Sequence, residues 1–258
     1  MQTQRLNYDQ IASEYNQRYP TSQSWERGQA LLDLARKFKA KNILEVGSGT
    51  GFWLDLLHQV TPQLYGIDYS AGMIAQARDQ PAPLRLTRGT ASQLPYQSGT
   101  FDLLYCVDAI HHFGDSRAFI AEAFRVLKPG GAFAIIGHDP HSGESNWYIY
   151  DYFDTVYETD LARYPSSGMI KNSMKQTGFM DVEHHDVEHI LNIHVGAGVL
   201  NDPFLKHNAT SQLALLSEET YFAGIEKIKA ELKKPQLNKK QVIFKSDFWV
   251  KMFTGVKP

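Results

Sequence analysis

A single cysteine, Cys106, stands in a chain of 258 residues, so no intramolecular disulfide can form; this fits a reducing compartment. Long apolar runs are absent too. The most apolar strand-like stretch, 131–137, is far shorter than the roughly 20 residues a spanning helix needs. The polar opening, 1–8, lacks the apolar centre of a secretory signal. Nor is there a cationic excess: 26 Lys and Arg against 28 Asp and Glu leave a formal net charge of −2, which disfavours a nucleic-acid partner. These absences predict a cytoplasmic protein with no membrane insertion and no nucleic-acid partner; they set no oligomeric state.

With 43% hydrophobic and 21% charged residues the composition is that of a folded chain, and its length suits one α/β domain. No internal repeat or low-complexity linker divides it. We expect helical cover over 1–40, a core over 41–140 and a cap over 141–258. Near the start, Tyr8, Ile11 and Tyr15 share one helical face in a segment that continues through Tyr19 and ends at Pro20, and Ser24 is placed to cap a second helix with a Leu31, Leu34, Ala35, Phe38 stripe.

From residue 42 strands and helices alternate. Strands are expected at Asn42–Val46, 64–67, 84–86, Phe101–Val107 and 132–136. Helices are expected at 52–59, at 71–78 with Ser70 as cap, and after Asp115, where Pro129-Gly130-Gly131 ends the helix. Near-continuous apolar strands separated by helices predict a doubly wound parallel sheet covered on both faces. Further on we expect a helix opened by Ser167 and closed by Gly178, an extended 182–193, and a helix capped by Ser217 and stopped by Pro235. A turn at Lys239 and Lys240 then leads into a last strand, 241–253.

Glu45-Val46-Gly47-Ser48-Gly49-Thr50-Gly51 falls directly between a strand and a helix. Glycines there permit positive φ and let backbone N–H groups approach a ligand. A dinucleotide fingerprint needs its third glycine at position 52, which is Phe52. Asp68 closes the second strand, where a carboxylate can accept both hydroxyls of a ribose.

These segments resemble the motifs of class I S-adenosylmethionine (SAM)-dependent methyltransferases. Ile43-Leu44-Glu45-Val46-Gly47-Ser48-Gly49-Thr50-Gly51 is similar to the first motif and Gly66-Ile67-Asp68-Tyr69-Ser70 to the second. Gly89-Thr90-Ala91-Ser92-Gln93-Leu94-Pro95 with Phe101-Asp102 is similar to the third, and Arg125-Val126-Leu127-Lys128-Pro129-Gly130-Gly131 to the segment before the fifth strand. The likeness covers 40–140 and is nearest to small-molecule methyltransferases of the ubiquinone/menaquinone branch. It implies a Rossmann-like, mostly parallel seven-stranded sheet with an antiparallel last strand and a helical cap.

It also implies a cofactor, SAM, leaving as S-adenosylhomocysteine (SAH), and a small-molecule methyl acceptor. Glu45 and the loop of Gly47, Ser48, Gly49 and Gly51 are then expected at the methionine end, and Asp68 at the ribose. Tyr69 and Met73 pack the adenosine, Thr90 and Ala91 meet the adenine edge, and Val107 faces the amino group or sulfonium. The family commonly has Asp where Thr90 stands. Tyr8 and Tyr15 resemble N-terminal tyrosines that fold over the cofactor; simple packing of an amphipathic helix is the other reading.

On the acceptor side, His111 and His112 follow the fourth strand, with His112 equally suited to packing the cofactor. His138, Asp139 and His141 follow the fifth, at the carboxyl edge where open sheets bind ligands. The aromatic run 146–153 either forms the core of the cap or walls an apolar acceptor. His111, His138, His141 and Tyr150 are therefore the candidates to act on the acceptor. His185-Asp186-Val187-Glu188-His189 matches a zinc-protease string, but that chemistry needs a helix and this segment reads as a strand, so no metal is expected.

Cys106-Val107-Asp108-Ala109 lacks the Asn/Asp-Pro-Pro-aromatic string of amino-methylating DNA enzymes, and Cys106 lacks the preceding proline of cytosine-C5 enzymes. One cysteine also argues against an arsenic acceptor. The expected activity is methyl transfer by in-line displacement to a small organic acceptor; the alternatives are a cyclopropane-synthase-like SAM enzyme and a non-catalytic SAM-binding subunit.

Overall fold

The computed structural model describes residues 6–12, 15, 26–234 and 241–258. Tyr19, Pro20, the Ser24 cap, Pro235 and the Lys239–Lys240 turn fall outside the described residues. The sheet is built from β1 (Asn42–Val46), β2 (Gln63–Asp68), β3 (Arg85–Arg88), β4 (Phe101–Val107), β5 (Leu127–His138), β6 (Asn146–Trp147), β7 (Met180–Val195) and β8 (Ile243–Val256). Their order is β3-β2-β1-β4-β5-β8-β6, with β7 also paired to β8. β1 to β5 pair in parallel. β8 runs antiparallel to β5, β6 and β7. The mostly parallel sheet with a reversed last strand is as expected, and the eighth strand is the two-residue β6.

β4 accounts for the layering. Leu104 and Cys106 point into one core with Phe119, Ile120 and Ala123 of α4 (Ser116–Val126) and with Ile170 and Met174 of α7 (Ser167–Thr177). Leu103, Tyr105 and Val107 point into another with Leu31, Leu34 and Ala35 of α1 (Glu26–Lys37) and Trp53 of α2 (Phe52–Leu56). A strand covered on both faces has no polar side, hence its apolar run over 103–107 after Asp102. Ser70 caps α3 (Ala71–Ala77) by accepting Met73 N–H, and Asp115 accepts Arg117 and Ala118 N–H groups at the start of α4. α7 opens at Ser167 as expected, capped by Ser166, and Gly178 closes it at φ 108°.

Beyond β5 lies a separate apolar centre. It holds Trp147, α5 (Tyr148–Tyr152), Phe153, Val156 at the start of α6 (Val156–Arg163), Leu213 of α8 (Ser211–Ala214), Ile228 of α9 (Glu218–Lys233) and Phe244 of β8. The aromatic run is thus the core of the cap. Gly224 of α9 lies so close to Phe153 that a Cβ there would sit 2.3 Å from the ring.

The His185–His189 string lies in β7. A bulge between Asp186 and Glu188 gives Val187 no partner, so His185 stands opposite Met252 and His189 opposite Trp249. Those two positions on β8 differ by an odd number, so the histidines fall on opposite faces of the sheet. His189 stacks on Trp249 and bonds Asp247. Among the described residues no group of three or more His, Cys, Asp or Glu could hold a metal, and no helix is long and apolar enough to cross a membrane.

Candidate active site

The loop after β1 folds back on β2: Gly47 and Ser48 N–H groups donate to Ile67 O at 2.8 and 3.1 Å. Gly47, Gly49 and Gly51 have φ of 75°, 52° and 76°, the left-handed region that glycine adopts without cost. At Gly47 a Cβ would lie 2.6 Å from Ala109 Cβ, whereas at Gly49 it would meet nothing within 4 Å. Asp68 ends β2 with its carboxylate spread between two donors, Gly49 N–H to Oδ2 and Ser70 N–H to Oδ1, both at 2.8 Å. Burial pushes its carboxyl above the ordinary value, against those hydrogen bonds.

Gly47, Gly49 and Asp68 form one wall of a cavity of about 570 Å³, a volume typical of small-molecule sites. Tyr69, Met73, Thr90, Ala91 and Val107 line it as well. Glu45, Ser48 and Gly51 do not. Glu45 is buried behind the loop, accepting Tyr105 O–H at 3.2 Å, and burial holds its carboxyl well above the carboxylate range. Ser48 is buried, and Gly51 backs onto Leu84. The cofactor-facing surface of the loop is therefore narrower than the motif.

The N-terminal segment closes another side. Asp9 Oδ1 accepts Ser70 O–H at 2.6 Å and Gly72 N–H at 2.8 Å, tying residues 6–12 to the start of α3. Ile11 and Ala12 pack on Met73, with Tyr8 and Tyr15 against them. Tyr8 and Tyr15 also line the cavity, edge to face at 6.0 Å, so they serve both readings. The Tyr8 hydroxyl lies 2.7 Å from His112 Nε2. Nη2 of Arg163, at the end of α6, donates to His112 Nδ1 at 3.3 Å. Because a guanidinium only donates, a neutral His112 carries its proton on Nε2 and donates it to Tyr8 Oη.

Of His111, His138, His141 and Tyr150, only His111 lines the cavity, stacked on Tyr164 at 3.9 Å. His138 lies outside it, under Phe248 and 2.7 Å from Ser145 Oγ; burial lowers its pKa to about 4. His141 donates Nε2–H to Tyr164 O, and Tyr150 O–H donates to Asp160 Oδ2. Both are spent inside the cap. Asp9, Asp108 and Arg163 are among the lining residues that the sequence reading did not assign to the site. Asp108, the first residue past β4 and at φ 48°, was legible by position alone. Arg163 reaches the site only through tertiary folding of the cap.

Comparison with known proteins agrees with this geometry. Residues 44–135 match the model of a methyltransferase domain. The demethylmenaquinone methyltransferase of Deinococcus radiodurans is 31% identical over 122 residues, 45% of this chain and 50% of that protein. The uncharacterized methyltransferase YcgJ of Bacillus subtilis is 31% identical over 101 residues, 37% of this chain and 40% of its own. This chain thus spans half or less of the length of these two curated relatives. By fold, the crystal structure of YcgJ superposes with a TM-score of 0.58 at 17% identity, covering 90% and 98% of the two chains. Phosphoethanolamine N-methyltransferase 2 of Haemonchus contortus, in complex with SAM, gives 0.60 at 19% identity, covering 97% and 57%. Sheet order, glycine loop, closing aspartate and matched segment agree: the chain carries a class I SAM-dependent methyltransferase domain.

Proposed function

We propose that this chain transfers the methyl group of SAM to a small organic acceptor. The carrying observation is that one cavity joins two unlike halves. Gly47, Gly49, Asp68, Tyr69 and Met73 line a side suited to a nucleoside, and Tyr8, His111, His112, Asp108 and Arg163 line another, where the acceptor would sit. SAM supplies an activated methyl on a sulfonium, so the protein has no bond to activate. Its contribution is to hold the acceptor in line and exclude water, which can be worth roughly 7–11 kcal/mol.

The Arg163–His112–Tyr8 chain fixes the phenol of Tyr8 over the junction of the two halves. The Asp9 tie to Ser70 and Gly72 keeps the segment bearing Tyr8 closed. Neither arrangement requires a general base, and an acceptor with a free lone pair needs none. Incubation with isotopically labelled SAM and a metabolite extract tests the reading. We expect label on a small molecule with matching SAH formation, lost in Asp68→Ala. Label appearing only on protein or nucleic acid would overturn it.

A further inference from the structure

Arg27, the second residue of α1, is buried beside the cavity without lining it. Its guanidinium serves two carboxylates. Nε lies 2.6 Å from Glu188 Oε2 and Nη2 3.2 Å from Oε1, while Nη1 lies 2.5 Å from Asp108 Oδ2. Glu188 also accepts the Arg27 backbone N–H at 3.3 Å, and the guanidinium lies over the Trp53 ring at 5.8 Å. The bulge in β7 creates this junction. With regular pairing beyond Asp186, Glu188 would face outward with Trp249; the extra residue puts it opposite buried Val250, toward α1.

Counting charge, the triad holds one guanidinium and two carboxylates. Glu188 is only 4% exposed and grips Arg27 with both oxygens. Asp108 shares what remains of that cation while its side chain stays 44% exposed on the cavity wall. The cationic groups on the same wall already face acids: Arg163 is 3.7 Å from Asp160, and Arg88 acts on Asp9. Asp68 is the other uncancelled carboxylate, at the ribose end. Among the described residues, the end of β4 at Asp108 therefore presents one net negative charge.

We propose that Glu188 and Arg27 are positioning residues that keep Asp108 placed and only partly neutralised, so that the site prefers the cationic SAM to the neutral thioether SAH. This rests on the reading that the cavity binds SAM. Buried Glu188 and Arg27 thereby act in turnover: Asp108 attracts the sulfonium of SAM, which SAH lacks, so product leaves more readily. An arginine suits this junction because its planar fork holds Glu188 through two donors and Asp108 through a third in a fixed geometry.

The test is calorimetric titration of the full chain with SAM and with SAH, for wild type, Glu188→Gln and Asp108→Asn, each with a melting curve. Wild type is expected to bind SAM more tightly than SAH. Either substitution should reduce that ratio by about tenfold, the order of one hydrogen bond to a charged group. Glu188→Gln acts by freeing Arg27 to cancel Asp108. A merely structural defect would weaken both ligands equally and leave the ratio alone. Asp108→Asn, at a half-exposed position, keeps the test open if Glu188→Gln does not fold. An unchanged ratio in a folded Asp108→Asn protein that still binds both ligands overturns the proposal alone. A wild-type protein that binds neither overturns the cofactor reading beneath it.

Discussion

Gly47 has no room for a methyl group. Its Cβ would meet Ala109 Cβ at 2.6 Å and Phe113 at 3.2 Å, in a backbone at φ 75°; Gly49 has comparable φ but open space. Gly47→Ala should therefore cost stability through both strain and overpacking, about 2–4 kcal/mol, and Gly49→Ala only the strain, about 1–2 kcal/mol. Denaturant titration of the two variants checks the order. His138 carries a second residue-scale prediction. Burial lowers its folded pKa to about 4, so between pH 6.5 and 4 the unfolded chain binds a proton that the folded chain refuses. Its contribution is present above pH 6.5 and is lost as pH falls toward 4. Asp160, raised to about 6 chiefly by burial, works in the opposite direction over pH 6 to 4. Comparing wild type with His138→Gln isolates the histidine: the variant should lose less stability on acidification over that window. Equal pH slopes would show that His138 is not buried as described.

At the scale of elements, the segments that were legible are those whose chemistry is local. The Ser70 and Asp115 caps depend on neighbours a few residues away, and the glycine loop and Asp68 stand in short motifs, so pattern alone locates them. The role of 146–153 was not legible, because aromatic side chains suit a cap core and a pocket wall equally. What decides is α9, where Gly224 lets Phe153 pack against it. Gly224→Ala should destabilise the protein by roughly 1–3 kcal/mol and leave SAM affinity nearly unchanged in the folded fraction. A large loss of affinity with normal stability would return that segment to the cavity. The N-terminal segment makes the converse prediction. Asp9→Ala removes the acceptor of Ser70 O–H and Gly72 N–H, so hydrogen exchange over 6–12 should quicken while β1 and β4 stay protected.

Over the whole molecule, two bodies meet at the carboxyl edge of one sheet. The core supplies the loop, Asp68 and Val107, and the cap supplies Arg163. The β7–β8 pairing runs alongside both, its register shift turning Glu188 toward Arg27. Contacts of that kind, between residues 161 apart in the chain, leave no mark in local pattern, and Arg163 likewise joined the site only when the fold was seen. The central claim is that the cavity holds SAM through the glycine loop and Asp68. Calorimetric titration of wild type and Asp68→Ala with SAM, with NAD as control, tests it most directly. The account predicts SAM binding to wild type, none of NAD, and a loss in Asp68→Ala of about 1.5–3 kcal/mol for each ribose hydrogen bond. Binding of NAD in place of SAM, or unchanged SAM affinity in a folded Asp68→Ala protein, would contradict it.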